Sequence, residues 1–271
     1  SDDRDLALDL ALARGNLGTS SADAGELERA TELVYAAAKG LRALVSDYPS
    51  IPLYRRHLWG ALSNIGRVES QAGRMDRAME ALTESAEGLL DDWSRAPDDF
   101  ELRLAAGQAL ANLSNMLVFA GADADDARGA ARRARDLLEP SLEEAPAAVR
   151  GPLVLAVYSQ GLAECRSDRL DEARGAIHDF ESLPGPGGFE WRLAADLWNE
   201  RALSVRRAMP DGPDRDALDA EARARMYASF ARAVEAGWRD VANREASASL
   251  EPFRGDPEYA ELVRSMAASD G

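Results

Sequence analysis

A pattern of small and apolar residues returns at an almost constant interval along this chain, and it limits the possible folds more than any other feature. In the stretch 62–85, Gly66 shares one helical face with the apolar residues before it, Gly73 follows, and Ala78 and Leu82 then return at helical spacing. We interpret this stretch as two helices joined by a tight turn at Gly73, with Gly66 and Ala78 small enough for close packing. The same small position returns at residues 18, 66, 114 and 161, in steps of 48, 48 and 47 residues.

A repeat of this length predicts a stack of helical hairpins, because one hairpin alone cannot bury its apolar face. Ala, Leu, Arg, Asp and Glu dominate the composition while Val and Ile are scarce, which favours helices over strands. We therefore predict an all-α fold, a right-handed α-solenoid of helical hairpins with repeats of about 47–48 residues and one continuous domain. The predicted segments are four units at 1–49, 50–97, 98–146 and 147–182, a loop at 183–188, an altered fifth hairpin at 189–237 and a C-terminal capping segment at 238–271.

Turn and capping residues predict where several helices begin and end. The first helix is expected to end at the polar stretch 20–25, with Asp23 as the N-cap of the second helix. Two later N-caps are predicted on the same grounds, at Asp98 or Asp99 and at Asp123 or Asp125. Proline disrupts a helix interior, so Pro146 and Pro152 are expected to bound the fourth unit.

Two stretches resemble a known group of proteins. The spacing of large and small residues in 62–85 is similar to the tetratricopeptide repeat (TPR), whose usual unit has about 34 residues. The segment LVSDYPSIPLYRRHLWGALSNIG resembles junctions between long TPR units in bacterial proteins, especially planctomycete serine/threonine kinases that carry such repeats after the kinase domain. The segment RAVEAGWRD, with LEPFRGDPEYAELV after it, resembles the end of those arrays. The resemblance implies a non-enzymatic scaffold for protein–protein interaction, the regulatory part of a larger bacterial protein such as a kinase.

An asparagine also returns in register with the repeat. Asn16, Asn64 and Asn112 each lie two residues before the small position, Ser159 takes that place in the fourth unit, and Asn199 is a candidate in the fifth. Asparagine is a poor helix former, so its return needs a reason. The resemblance to groove-forming TPR domains, such as that of kinesin light chain, implies that these amides face a concave surface and bind the backbone of an extended peptide. Alternatively, they bond neighbouring helices and fix the superhelix.

Further residues are predicted to line the same peptide groove. They are Ser63, Arg67, Ser70 and Gln71 in the second unit, Ala111, Asn115 and Phe119 in the third, and Tyr158, Leu162 and Arg166 in the fourth. TPR domains that clamp a C-terminal carboxylate carry Lys or Arg four residues before the asparagine. Here Leu12, Gly60 and Gln108 stand at those places, so no carboxylate clamp is expected.

Charge and composition limit the possible partners and chemistry. The net charge of −16 argues against nucleic acid, which needs a basic surface, and is compatible with a basic protein partner. His57 and His178 lack metal-ligand spacing, and Cys165 has no nucleophile motif and is expected to be a buried thiol. No Gly-rich loop, HRD or DFG motif occurs in the sequence. We therefore expect no catalytic residue, no metal and no cofactor in this chain.

The setting of the chain is also an expectation. It opens on SDDRDL without an initiator methionine, so we expect a piece of a longer protein. No run of about 18 apolar residues occurs, so no membrane insertion is expected. A cytoplasmic location is favoured, and an extracytoplasmic one would follow from a membrane anchor upstream. Two alternatives to peptide binding stay open: a sensory domain for a small ligand, and a self-association module.

Overall fold

Segments rich in leucine and alanine form the helices of this protein, with apolar residues on one face and polar residues on the other. The structure is a computed structural model. The structure describes residues 2–183, 185–238, 255–257, 259–261 and 264. Within these residues the chain forms α-helices and one short 3-10 helix, Glu139–Ser141, and no strand, so the predicted all-α class is confirmed. The helices are α1 Asp2–Asp23, α2 Leu27–Asp47, α3 Pro52–Gln71, α4 Met75–Arg95, α5 Phe100–Ala120, α6 Ala124–Leu138, α7 Pro146–Arg166, α8 Leu170–Glu181, α9 Gly188–Ala208 and α10 Pro213–Glu235.

The helices pack in chain order within two compact units, Ser1–Ala156 and Val157–Gly271. In the first unit, α1 packs on α2, α2 on α3, α3 on α4, α4 on α5 and α5 on α6. In the second unit, α8 packs on α9 and α9 on α10. Sequential packing of this kind is the defining property of helical-repeat proteins, in which each hairpin contacts mainly its neighbours.

The small residue of the repeat brings the two helices of a hairpin together. A Cβ atom on Gly66 would lie 2.5 Å from Cγ of Leu82, and one on Gly18 would lie 2.8 Å from a methyl carbon of Val34. Ser114, at the third such position, donates a hydrogen bond of 2.8 Å to the carbonyl of Ala127. The prediction of close approach at these positions is therefore confirmed for the first three hairpins.

The fourth small position has a different neighbour from the expected one. The sequence suggested that Gly161 would pack against the second helix of its own hairpin. A Cβ atom on Gly161 would instead lie 3.0 Å from Leu197, which belongs to α9, the first helix of the next pair. Glycine at this position therefore allows close contact between hairpins, and the expected contact with the second helix of its own hairpin is wrong.

One turn geometry ends the first helix of four successive hairpins. In each turn a backbone N–H donates to the carbonyl five residues earlier: Glu26 to Ser21, Arg74 to Glu69, Ala122 to Leu117 and Arg169 to Glu164. The turn needs a residue with positive φ, and the first three copies use Gly25, Gly73 and Gly121. The fourth uses Asp168, at φ 54°. Its carboxylate accepts hydrogen bonds from Ser204, at 2.9 Å, and Arg207, at 3.0 Å, which hold this less favourable conformation in place.

Two predicted helix boundaries need correction and two are confirmed. Helix α1 continues to Asp23, so Asp23 does not cap α2, whose N-cap position is Glu26. The helix runs further than predicted because Gly25, and not the serines before it, supplies the positive φ that ends it. Pro152 lies inside α7 and does not bound it. The two confirmed N-caps are Asp99 and Asp123, whose carboxylates accept backbone N–H groups of α5 and α6.

The predicted capping segment, 238–271, lies mostly outside the described residues. Where it is described, it contacts α10. The Tyr227 hydroxyl donates a hydrogen bond of 3.0 Å to Asp256, Arg223 lies 3.3 Å from the same carboxylate, and Tyr259 is buried. None of the described helices combines the length and apolar content that crossing a bilayer requires.

Candidate functional site

A cavity of about 230 Å³ opens in the first unit between α3 and α5. Its polar wall and its apolar floor come from three helices: Ser63, Arg67, Ser70 and Gln71 from α3, Leu82 from α4, and Asn112, Asn115 and Met116 from α5. The α3 residues share one face because they are spaced by three or four residues, close to one helical turn. Six of the eight residues carry polar groups, while Leu82 and Met116 form a buried apolar floor.

The cavity brings together several residues that the sequence predicted for a groove. Arg67, Asn112 and Asn115 all line it, as do Ser63, Ser70 and Gln71. Asn64 and Asn16 occupy the equivalent positions one and two repeats earlier and do not line this cavity. The sequence missed Leu82 and Met116 as cavity residues. The only available signal for Leu82 was its place opposite Gly66 in the hairpin.

An ion pair occupies the equivalent place one repeat earlier, between α1 and α3. Nη1 of Arg67 on α3 lies 2.7 Å from Oδ1 of Asp23, the last residue of α1, so the pair crosses from α1 to α3. One repeat later, the residues in the same register are Gln71 and Asn115, which carry no charge. The position of Arg67 opposite Asp23 also means that an acidic ligand group would have to compete with that carboxylate. Both side chains of the pair are well exposed, so such competition is feasible.

The register asparagines are not used to tie helices together. Among the residues that the structure describes, the side-chain amides of Asn16, Asn64 and Asn112 make no hydrogen bond. Only the backbone carbonyl of Asn16 is engaged, by the hydroxyl of Thr19 at 2.9 Å. This observation speaks against the alternative in which these amides fix the superhelix, and it leaves the Asn112 donor and acceptor available at the cavity.

The hydroxyl of Ser63 has a defined hydrogen-bonding direction. Ser85 Oγ donates to the backbone carbonyl of Trp59 at 2.9 Å, which uses its only proton. In the 2.9 Å contact between Ser63 Oγ and Ser85 Oγ, Ser63 is therefore the donor. With its proton directed at Ser85, the Ser63 oxygen can only accept from a ligand. The wall of the cavity thus offers an acceptor at Ser63 and both a donor and an acceptor at Asn112.

The remaining predicted groove residues lie elsewhere. Phe119 is 54% exposed near the end of α5. Tyr158, Ser159 and Arg166 belong to the second unit, and only Arg166 is exposed. Tyr158 packs against Phe180 of α8 with ring centroids 6.2 Å apart, and its burial raises the pKa of the phenol. Ser159 is fully buried and Asn199 is almost fully buried. The side chains of Tyr158, Ser159 and Asn199 are therefore not accessible to a peptide.

The buried thiol of Cys165 gives a simple chemical test of the second unit. Burial raises its pKa to about 12, so almost no thiolate exists at neutral pH. We expect the folded protein to react with a disulfide reagent at least about a hundredfold more slowly than the urea-unfolded chain, as followed by absorbance. The unfolded chain, which carries the same single cysteine, is the control. Comparable rates in the two states would contradict the burial of this thiol.

Groups suited to metal chemistry are dispersed in the described part of the chain. No cluster there holds three His, Cys, Asp or Glu side chains close enough to bind a metal ion. His57 is partly buried, and this burial together with the Arg56 charge lowers the pKa of its imidazole. The polar side chains that do converge are the amides, hydroxyls and guanidinium of the α3–α5 cavity.

Sequentially packed hairpins whose first helices carry polar residues in register define a helical-repeat protein. Comparison with solved structures finds a tetratricopeptide repeat protein from Parabacteroides merdae, at 13% sequence identity and a TM-score of 0.23, over 96% of this chain and 99% of that chain. No protein-family model and no curated protein matches the sequence. A likeness this low assigns no function.

Proposed function

We propose that the chain is a non-enzymatic interaction module that binds an extended peptide segment of a partner protein in the α3–α5 cavity. The observation that supports this most directly is the Asn112 amide, which recurs in register, lines the cavity and makes no hydrogen bond among the described residues. A side-chain amide can pair with both the N–H and the C=O of one peptide group, as a β-strand neighbour does.

The cavity chemistry suits a peptide better than a free metabolite. Ser63 would accept a backbone N–H, Asn112 would donate to a carbonyl and accept from an N–H, and Leu82 with Met116 would receive one apolar side chain. The volume of about 230 Å³ fits a single side chain and lies below the roughly 300–1,000 Å³ usual for small-molecule sites. Each hydrogen bond would contribute about 0.5–1.5 kcal/mol net.

Charge adds a preference to this proposal. The chain carries a net charge of −16, which raises the encounter rate with basic segments and lowers it with acidic ones. Arg67, the cationic side chain of the cavity wall, already forms an ion pair with Asp23, so its charge is partly neutralised. We therefore expect selected peptides to be rich in Lys and Arg around one apolar anchor residue.

The test is selection of random peptides on the whole chain, followed by affinity measurement. For a selected peptide, Asn112→Ala is expected to raise Kd about three- to tenfold, since it removes one or two hydrogen bonds. Asn64→Ala should change Kd less. Asn64 is the equivalent of Asn112 one repeat earlier, where the Arg67–Asp23 ion pair occupies the space between α1 and α3. Gln108→Ala, an exposed amide one turn away on α5 and outside the cavity, is the matched control.

Two outcomes would count against the peptide proposal. Equal affinity of wild type and Asn112→Ala for every selected peptide would remove the cavity from the binding site. A metabolite library that raises Tm while no peptide binds would favour the sensory alternative. The connection to a serine/threonine kinase comes from the sequence resemblance alone, and the domains encoded beside this chain in its gene would decide it.

A further inference from the structure

A second cavity, of about 360 Å³, opens between α4 and α6 in the first unit. Three leucines from one face of α5, spaced by three and four residues, form its apolar floor: Leu110, Leu113 and Leu117. Thr83 of α4 lies on one wall and Gly129 of α6 on the other. This volume falls within the roughly 300–1,000 Å³ usual for small-molecule sites. We refer to the cavity as the α4–α6 groove; it shares no lining residue with the α3–α5 cavity.

The equivalent space one repeat earlier, between α2 and α4, holds polar side chains of the protein itself. Arg74, at the start of α4, forms an ion pair with the buried Glu69 of α3. Tyr35 of α2 lies beside this pair, and its partial burial together with the Glu69 charge raises the pKa of its phenol. At the positions 48 residues after Tyr35 and Glu69 stand Thr83 and Leu117, which cannot form the same polar network.

An ion pair that spans the earlier space is also absent from the α4–α6 groove. Arg42 of α2 lies 2.6 Å from Glu84 of α4. The corresponding residues in the next repeat are Leu90 on α4 and Arg133 on α6, since α6 begins one residue later in its repeat than α4 does. Leucine cannot pair with arginine, so the groove stays open where a side-chain bridge closes the earlier space.

Two charges of opposite sign remain unpaired on the α6 wall. Asp126 and Arg133 both line the groove, and neither has an ion-pair or hydrogen-bond partner in the described part of the chain. Asp125, which also lines the groove, forms its ion pair with Arg128. Asp126 and Arg133 are seven residues apart, which separates their Cα atoms by about 10 Å along the helix axis. A cation and an anion are thus presented at two ends of an apolar floor.

We propose that the α4–α6 groove binds a small amphipathic zwitterion, whose ammonium and carboxylate ends are separated by an apolar body about 10 Å long. The ammonium would lie at Asp126, the carboxylate at Arg133, and the body would cover the leucines of α5. A ligand with only one charge would leave the other side chain of the wall unpaired. A small molecule is favoured over a protein segment because the groove can hold the whole of such a molecule, whereas the α3–α5 cavity fits a single side chain.

The probe for this site is 8-aminooctanoate, whose extended chain separates its two charges by about 10 Å, two helical turns. Titration calorimetry on the whole chain is expected to show saturable one-to-one binding with a Kd of about 0.1–1 mM, because the contacts are few and the charges partly exposed. 4-Aminobutyrate is too short to reach both charges and should bind at least about tenfold more weakly.

Filling the groove gives the first variant test. Gly129 is exposed, and a Cβ atom there would meet no other atom within 4 Å, so Gly129→Leu is compatible with the helix while its side chain takes up space in the groove. We expect this variant to bind 8-aminooctanoate at least about tenfold more weakly. Gly60→Leu is the matched control, an exposed glycine of α3 with equally open surroundings and no place in the groove, and should bind like wild type.

The two charges can be tested separately with probes that carry only one of them. Arg133→Gln should weaken 8-aminooctanoate and octanoate about two- to fivefold and leave octylamine unchanged. Asp126→Asn should weaken 8-aminooctanoate and octylamine to a similar extent and leave octanoate unchanged. Arg132→Gln, an exposed neighbour outside the groove, should bind all three probes like wild type.

Several results would overturn the proposal. They are the lack of saturable binding to the wild-type chain, equal binding to Gly129→Leu and wild type, and charge variants that affect all three probes alike. Dimerisation of the wild-type chain, seen by light scattering and abolished by Gly129→Leu, would instead assign the groove to a second copy. Asn112→Ala should bind 8-aminooctanoate like wild type, so failure of the peptide proposal leaves this result unaffected.

Discussion

Replacing Gly66 with alanine is expected to lower the free energy of unfolding by about 1–3 kcal/mol. The new methyl carbon would lie 2.5 Å from Cγ and 2.8 Å from Cδ2 of Leu82, well inside van der Waals contact. Leu82 of α4 is buried against α3, and its Cγ lies only two bonds from its own backbone, so either the two helices must move apart or Leu82 must turn to another rotamer, towards the cavity that it lines. The usual gain of about 1 kcal/mol for Gly→Ala in a helix offsets only part of this loss.

Gly60→Ala supplies the matched comparison in the same helix. Gly60 is exposed, and a Cβ atom there would meet no other atom within 4 Å. Only the helix preference remains, so this variant is expected to gain up to about 1 kcal/mol. Urea denaturation followed by circular dichroism should therefore give midpoints on opposite sides of the wild type. Shifts in the same direction for both variants would show that the α3–α4 contact does not require glycine at 66.

Contacts inside a hairpin were predictable from the sequence because they involve nearby residues. Gly66 and Leu82 are only 16 residues apart, and the turn between them is marked by Gly73, so spacing alone indicates which faces meet. Gly25, Gly73 and Gly121 mark equivalent turns for the same reason. The fourth turn escaped prediction because Asp168 adopts positive φ with the support of Ser204 and Arg207, both more than 30 residues away in the sequence.

Contacts between hairpins were harder to predict. The register of Asn112 was visible in the sequence, but the cavity beside it depends on α3, α4 and α5 together. The pairing of Asp23 with Arg67 spans 44 residues, and nothing local distinguishes Asp23 from a helix cap. Burial of Tyr158 likewise follows from packing against Phe180 and not from its own helix. A repeat pattern thus predicts equivalent positions, while the surroundings of each position depend on which side chains its neighbours carry.

Replacing Arg201 with methionine is expected to raise the free energy of unfolding by about 1–3 kcal/mol. Arg201 on α9 is 2% exposed, and its Nε and Nη1 atoms have no hydrogen-bond partner in the described part of the chain. The nearby carboxylate of Glu221 is already paired with Arg174 at 2.9 Å. Burial accordingly lowers the pKa of the Arg201 guanidinium, which reflects the penalty on its charged form. Methionine fills a similar volume without a charge, and its sulfur can pack on the Trp198 ring, whose centroid lies 6.0 Å from the guanidinium carbon.

Arg206→Met on the same helix should have the opposite effect, because this arginine is paired. Its Nε and Nη2 atoms donate to the two carboxylate oxygens of Asp219 at 2.7 and 3.1 Å, and Asp219 is buried. Removing the guanidinium is expected to lower the free energy of unfolding by about 1 kcal/mol. The loss is small because Arg223 stays 3.1 Å from the same carboxylate. Urea denaturation of the two variants side by side compares a buried arginine with a paired and partly exposed one, since the substitution and the helix are identical. Destabilisation by both would mean that the Arg201 charge is compensated in the folded protein, for example by a bound anion, whose addition would then shift the wild-type midpoint and leave that of Arg201→Met unchanged.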